Sequence, residues 1–168
     1  MMLKPQPFLH LDNQLCFSIY SLSRQITQAY QPLLKPLGLT YPQYLVLLVL
    51  WQAAEENQPA LTVSFLCQRL LLDTGTVTPL LKRMEAAGLL QRRRAAADER
   101  VVEVSLTAAG LDLRQQAEHI PQQILCATGV DIAEAQSLKQ RLGALLSRWL
   151  GRRTPAPIAS IPPESAPD

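Results

Sequence analysis

The sequence is short of the features that mark most functional classes. Only 5% of its 168 residues are aromatic, with two histidines and three cysteines. Three is an odd count for a chain of this length, and it excludes the paired framework of a small secreted disulfide protein. Met1 to Leu11 holds one lysine and two prolines but no apolar stretch of signal-peptide length. The longest apolar run, Tyr44 to Trp51, is eight residues, against about 20 needed to cross a bilayer. No glycine-rich phosphate loop and no metal-ligand spacing occurs, and neither His10 nor His119 neighbours Cys16 in the sequence. These absences argue against a membrane protein, a bound cofactor and an enzyme. They leave the reducing cytoplasm as the expected setting.

Charge of one sign is also scarce. The formal net charge is +2, too small to identify a nucleic-acid binder by itself. Its distribution is more informative. Arg69 to Arg100 carries seven Lys/Arg against four Asp/Glu, a local +3 that leaves the rest of the chain at −1. Leucine is abundant where aromatics are few, a composition suited to helices packed on helices.

Periodicity divides the chain into elements. Asp12 or Asn13 caps a first helix reaching about Gln31, with Leu15, Ile19, Leu22 and Ile26 at helical spacing; Pro32 and Pro36 predict its end. A second helix follows from about Pro42 to Ala54, apolar on nearly every side and so expected at the centre. Leu61 to Val63 reads as a short strand, and Thr62 caps a third helix to about Leu71. Leu72 to Gly75 is a turn, and a fourth helix runs from Thr74 to Ala87, closed by Gly88. Helix, short turn, helix is the helix-turn-helix arrangement. Leu89 to Arg93 and Val101 to Leu106 are β-rich and bracket a charged loop, a hairpin with a basic tip. Thr107 caps a long helix to about Ala127, kinked at Pro121, and Asp131 opens a last helix ending near Leu150. Five prolines between Thr154 and Asp168 predict a disordered tail over 151–168. The expected fold is mainly α with a small β-wing.

Two groups of residues carry chemistry. The fourth helix opens with Thr74, Thr76 and Thr78, small hydroxyls that allow close approach to a major groove, and Lys82 and Arg83 are placed to hold phosphates. In the hairpin tip, Arg94 suits a narrow minor groove. One such reader buries too little to be selective, so a two-fold dimer on a pseudo-palindromic duplex is expected. Leu138, Leu142, Leu145, Leu146 and Trp149 form an apolar stripe for it. The other group is Cys16 near a helix start, with Tyr20, Tyr30 and Tyr41 as phenols that could converge on it. A thiolate, not a thiol, is the nucleophile, and a helix N-terminus and phenol donors both favour the anion.

Taken together, Leu11 to Cys16, Leu37 to Tyr44, Thr74 to Glu85 and Asp98-Glu99-Arg100 resemble the MarR family of winged-helix regulators. More narrowly they are similar to its organic-hydroperoxide-sensing branch, the OhrR repressors. The resemblance covers roughly Leu11 to Leu150. It departs at Phe65, where a carboxylate would complete a capping box from Thr62, and it does not include Cys67, read here as core packing.

The resemblance implies a homodimeric repressor of double-stranded DNA, released when an organic hydroperoxide oxidises Cys16. Tyr30 and Tyr41 would then stabilise the thiolate. Cys126 would be the residue that resolves the oxidised thiol as an intersubunit disulfide. Asp98 would hold the wing loop in shape while Arg100 meets the DNA. The implied organisation is an arm over 1–11 and a domain over 12–150, with 12–36 and 108–150 for dimerisation and 37–106 for DNA. Competing readings are a regulator answering a small aromatic ligand with Cys16 inert, a thiol peroxidase, and a sequence-independent DNA-bridging protein.

Overall fold

The apolar run Tyr44 to Trp51 is the hub of the fold. A computed structural model describes residues 7–151; the tail expected over 151–168 lies, beyond its first residue, outside them. Two 3-10 turns, Pro7–Leu9 and Leu11–Asn13, lead into α1 (Leu15–Leu34), and a third, Lys35–Leu37, leads on to α2 (Tyr41–Glu55). Then come β1 (Ala60–Thr62), α3 (Val63–Leu70), α4 (Thr74–Ala86), β2 (Leu90–Arg94) and β3 (Val102–Leu106). The chain continues with α5 (Ala108–Ala117), α6 (Ile120–Thr128) and α7 (Ile132–Trp149). This is the expected mainly helical fold with a small wing. The chain divides into two compact units, the first ending at Thr128 and the second beginning at Gly129.

In the first unit, α2 contributes Tyr44, Val46, Leu47, Leu50, Trp51 and Ala53 to the core. Leu34, Leu66, Val77, Leu81, Met84, Leu90 and Val104 close around it from other elements. Every element of the helix-turn-helix therefore rests on one buried helix. Capping fixes where the helices start. The Thr40 amide and hydroxyl both donate to Gln43 Oε1, at 2.8 and 3.0 Å, ahead of α2. Thr62 accepts from the Phe65 amide at 3.1 Å, so α3 is capped without a carboxylate at position 65.

The strands form one antiparallel sheet in the order β1-β3-β2. Leu90 faces Leu106 and Arg94 faces Val102 across the hairpin, while Leu61 pairs with Val104. Its base is pinned by Thr107, whose hydroxyl donates to the Gly88 carbonyl at 2.6 Å and accepts from the Gly110 amide at 3.1 Å. A Cβ on Gly110 would stand 2.0 Å from the Leu89 carbonyl oxygen. Only glycine fits there.

Three expectations need correction. Neither Asp12 nor Asn13 caps α1: both lie in the preceding 3-10 turn and Gln14 takes the cap position. The Asn13 side chain donates instead through Nδ2 to the Pro7 carbonyl at 2.8 Å. Pro32 does not end α1: the helix forgoes one N–H bond there and runs on to Leu34, which is buried. The chain then stops at Gly38, with φ of +67°. The long helix after Thr107 is not kinked but broken into α5 and α6, since Pro121 has no N–H to bond the carbonyl four residues back. The third helix ends as expected, at Leu70, with Leu71 its C-cap in the left-handed region at φ +55°.

In the second unit, Asp131 caps α7 by accepting from the Glu134 amide at 2.7 Å. No residue of α7 is buried, and Leu138, Leu142, Leu146 and Trp149 are exposed along it. Among the described residues, no single helix is long and apolar enough to cross a membrane. The segments Leu15–Leu37 and Tyr41–Glu55 pass that test only together, meeting at 74°, and α2 spends its apolar side chains on the core.

Candidate functional site

The recognition segment begins with a carboxylate. Asp73 is the N-cap of α4: its Oδ1 accepts the Thr76 amide at 2.8 Å and its Oδ2 the Thr76 hydroxyl at 2.9 Å. The hydroxyl bond first, then the amide bond, hold its carboxyl below the ordinary range. The first turn therefore already carries an anion. Thr76 is left with acceptor lone pairs to offer, its proton being committed. Thr74 turns its hydroxyl toward Cys67 Sγ, 3.8 Å away, and Thr78 is half-buried. Lys82 and Arg83 are exposed, and Arg83 Nε reaches back to the Pro79 carbonyl at 3.3 Å. Leu80, Leu81 and Met84 face the core.

The wing tip is ordered by its own residues. Asp98 Oδ1 accepts the Arg100 amide at 2.9 Å, and the Asp98 carbonyl accepts the Val101 amide at 2.9 Å. Arg94 donates to the Glu99 carbonyl at 2.9 Å, spanning the loop. The side chain of Arg100 is exposed and turned to solvent. Sequence reasoning missed one strong tie. Glu85 binds Arg92 of β2 through Nη2 at 2.7 Å and Nε at 2.9 Å, and also accepts the Arg92 amide at 2.8 Å. The available signal was a pair of opposite charges on either side of Gly88.

Cys16 is the second residue of α1 and is exposed. The first bonded amide of that helix is Phe17, donating to the Gln14 carbonyl at 3.1 Å, so the amides of Leu15 and Cys16 come before the helical ladder. Leu15, Phe17, Ile19, Tyr20 and Leu22 are exposed around it. Tyr20 accepts from Arg24 at 3.0 Å, with the guanidinium 5.7 Å from its ring centre.

Tyr30 stacks at 4.7 Å on Tyr41 and at 5.7 Å on Tyr44, and Tyr44 meets Trp51 at 6.2 Å. Burial raises the Tyr41 phenol above its ordinary value, and burial followed by neighbouring Tyr41 raises Tyr30. Burial, then Tyr30 and Tyr41, push Tyr44 up to about 12. All three remain neutral O–H donors at physiological pH.

Cys16 and Tyr30 lie in the same helix, α1. Fourteen residues at 1.5 Å each put about 21 Å between them along its axis. One chain thus brings Tyr30, Tyr41 and Tyr44 together but does not bring that cluster to its own Cys16. Cys126 is an exposed thiol on α6, and Cys67 is half-buried against the core. Among the described residues, no group of His, Cys, Asp or Glu gathers as metal ligands.

A helix-turn-helix with a basic, internally braced β-hairpin defines a winged-helix transcriptional regulator. The family model described as the SarA/Rot transcriptional regulators matches residues 28–117. The chain is 47% identical over 137 residues to the organic hydroperoxide resistance transcriptional regulator of Bacillus subtilis (strain 168), covering 82% of this chain and 88% of that protein. It belongs to the SarA/Rot and MarR-type winged-helix regulators, which are transcription factors and not enzymes.

Solved relatives include AbfR, known from Staphylococcus epidermidis. The structure of reduced AbfR bound to DNA matches with a TM-score of 0.66 at 35% identity, over 84% of this chain and 95% of that one. Disulfide-formed AbfR matches with a TM-score of 0.54 at 36% identity, over 81% and 92%.

Proposed function

We propose that this regulator binds operator DNA as a homodimer in the cytoplasm and is released when an organic hydroperoxide oxidises Cys16. The observation that carries the reading is the placement of Cys16: an exposed thiol in the first turn of α1, on an apolar helix face that one chain leaves uncovered. A second copy covering that face would bring its own Tyr30 and Tyr41 toward the thiol, which the geometry of a single chain does not allow. Those phenols would donate to the thiolate, and the apolar surround of Leu15, Phe17 and Ile19 favours a peroxide with an organic tail.

Peroxide attack by the Cys16 thiolate transfers one oxygen to sulfur, leaving a sulfenic acid and an alcohol. Condensation with the Cys126 thiol of the partner subunit then forms the S–S bond and releases water. One relative supports a redox cycle of this kind: AbfR has been solved reduced on DNA, overoxidised on DNA and in a disulfide form. A shift from mostly bound to mostly free needs roughly 10⁴-fold differential affinity, within reach of a covalent link between subunits.

On the DNA side, Thr74, Thr76 and Thr78 enter the major groove and Lys82 and Arg83 hold the backbone. Arg94 and Arg100 carry the wing into the minor groove on a loop shaped by Asp98.

The test is binding of the reduced protein to DNA flanking its own gene, with and without one equivalent of an organic hydroperoxide. Binding lost on oxidation and restored by dithiothreitol is the expected result; binding indifferent to peroxide would sink the switch.

One observation favours a second reading. A cavity of about 480 Å³ is lined by Tyr44, Leu48, Trp51, Gln115 and Pro121, with the Glu55–Arg114 ion pair at its edge. A small aromatic acid would fit that chemistry. A Cys16→Ser protein that still leaves DNA on adding such a ligand would establish it.

A further inference from the structure

The recognition helix and the wing are joined at a sharp corner. The chain leaves α4 at Ala86, passes Gly88 with φ of +73°, and enters β2 at Leu90. Across this corner Glu85 grips Arg92 at both ends of the residue. One carboxylate oxygen takes the Arg92 amide at 2.8 Å, while the other takes Nε and Nη2 at 2.9 and 2.7 Å.

Two further facts set Arg92 apart from the other wing arginines. Its side chain is 23% exposed, whereas Arg93, Arg94 and Arg100 are exposed. Arg93 and Arg94 bond only neutral acceptors, the Gln91 side chain and the Glu99 carbonyl. Arg92 is also paired in register with Val104, which is fully buried. Turning Arg92 therefore turns the whole hairpin.

We infer that Glu85 and Arg92 are positioning residues for DNA recognition, setting the angle of the wing on the recognition helix without themselves touching DNA. The inference rests on the operator-binding reading above. A guanidinium already forked onto a carboxylate has spent the donors that would meet a phosphate. A carboxylate beside a DNA-reading surface opposes the polyanion, so its contribution to binding must come through geometry.

The two effects have opposite signs, which makes the experiment decisive. The intact dimer is titrated with its footprinted operator and with an unrelated duplex of equal length, across a range of salt. Positioning requires Glu85→Gln to weaken operator binding about tenfold while leaving the unrelated duplex unchanged or bound more tightly. If operator binding by E85Q is unchanged or tighter, the inference fails.

Arg92→Lys keeps the charge and loses the fork, and covers the case of an E85Q protein that does not fold. A comparable loss with an unchanged salt dependence supports positioning. Near-normal binding by R92K shows a phosphate contact and overturns it, as does a salt slope lowered by about 0.9 in Arg92→Gln. A wild type that binds no operator overturns the functional reading and this inference together; a wild type that binds normally beside an unaffected E85Q overturns only the inference.

Discussion

Trp51 donates its indole N–H to the Gly110 carbonyl at 2.8 Å inside the core, joining α2 to the first turn of α5. Gly110 also lies against the Leu89 carbonyl at the mouth of the wing, so one glycine is shared by the core helix, the wing and the helix that follows it. Gly110→Ala should destabilise the protein by more than about 3 kcal/mol, because the clash is with backbone and cannot be relieved by a rotamer. Trp51→Phe removes the indole bond from a carbonyl that α5 also uses in its own ladder and should cost about 1 kcal/mol. Urea denaturation of the two variants measures both; an alanine at 110 with wild-type stability would refute the packing described.

The separation of Cys16 from Tyr30 predicts a complementation. A dimer of Tyr30→Phe/Tyr41→Phe variants should react with organic hydroperoxide about tenfold more slowly than wild type, from the loss of charge-assisted donors. Mixed with Cys16→Ser protomers, the heterodimer has one Cys16, facing intact tyrosines of its partner, and should regain the wild-type rate. Stopped-flow consumption of peroxide reads this out. A heterodimer as slow as the doubly substituted homodimer would place the phenols in the same chain as their thiol.

Cys126→Ser should abolish the peroxide-induced crosslinked dimer on non-reducing gels while Cys16 still becomes sulfenic acid. Crosslinking that survives the substitution would remove Cys126 from the pairing. Cys67→Ser should change neither, since Cys67 packs beside the core and its sulfur faces Thr74.

Acid should loosen the wing. The Arg92 side chain first, then its amide, hold the Glu85 carboxyl below the ordinary carboxylate range. A lowered folded-state value means the stabilisation is present above the ordinary carboxylate range and is lost as pH falls through the folded value. The thermal midpoint of the wild type should therefore exceed that of Glu85→Gln at neutral pH and converge on it as pH falls below the ordinary carboxylate range. Parallel curves across that range would show that the ion pair does not couple to folding.

The wing arginines should separate by role. Arg100→Ala should weaken operator binding by about 1–3 kcal/mol and reduce its salt dependence, as expected of a side chain directed to solvent on an ordered loop. Arg94→Ala removes in addition the brace on the Glu99 carbonyl, so its loss should be accompanied by faster amide exchange in the loop. Hydrogen exchange that is the same in both variants would take Arg94 out of that bracing role.

The sequence by itself determined the order of the elements and most of their boundaries. Caps, apolar periodicity and turn residues act over three or four positions, so Thr62, Thr107 and Asp131 announce their helices locally. The same locality made Cys16 stand out at a helix start. Tertiary structure decided what depends on neighbours distant in the chain. α1 runs on past Pro32 to Leu34, which is buried, and the missing N–H of Pro121 broke a helix that local pattern would only have bent. The tie between Glu85 and Arg92 escapes local reading because helical phase alone cannot see a strand folding back seven residues later. Tyr30 and Tyr41 meet each other and not their own Cys16, a fact fixed by the length of α1. A rigid helix converts sequence separation into distance, and only another part of the fold, or another chain, can close it.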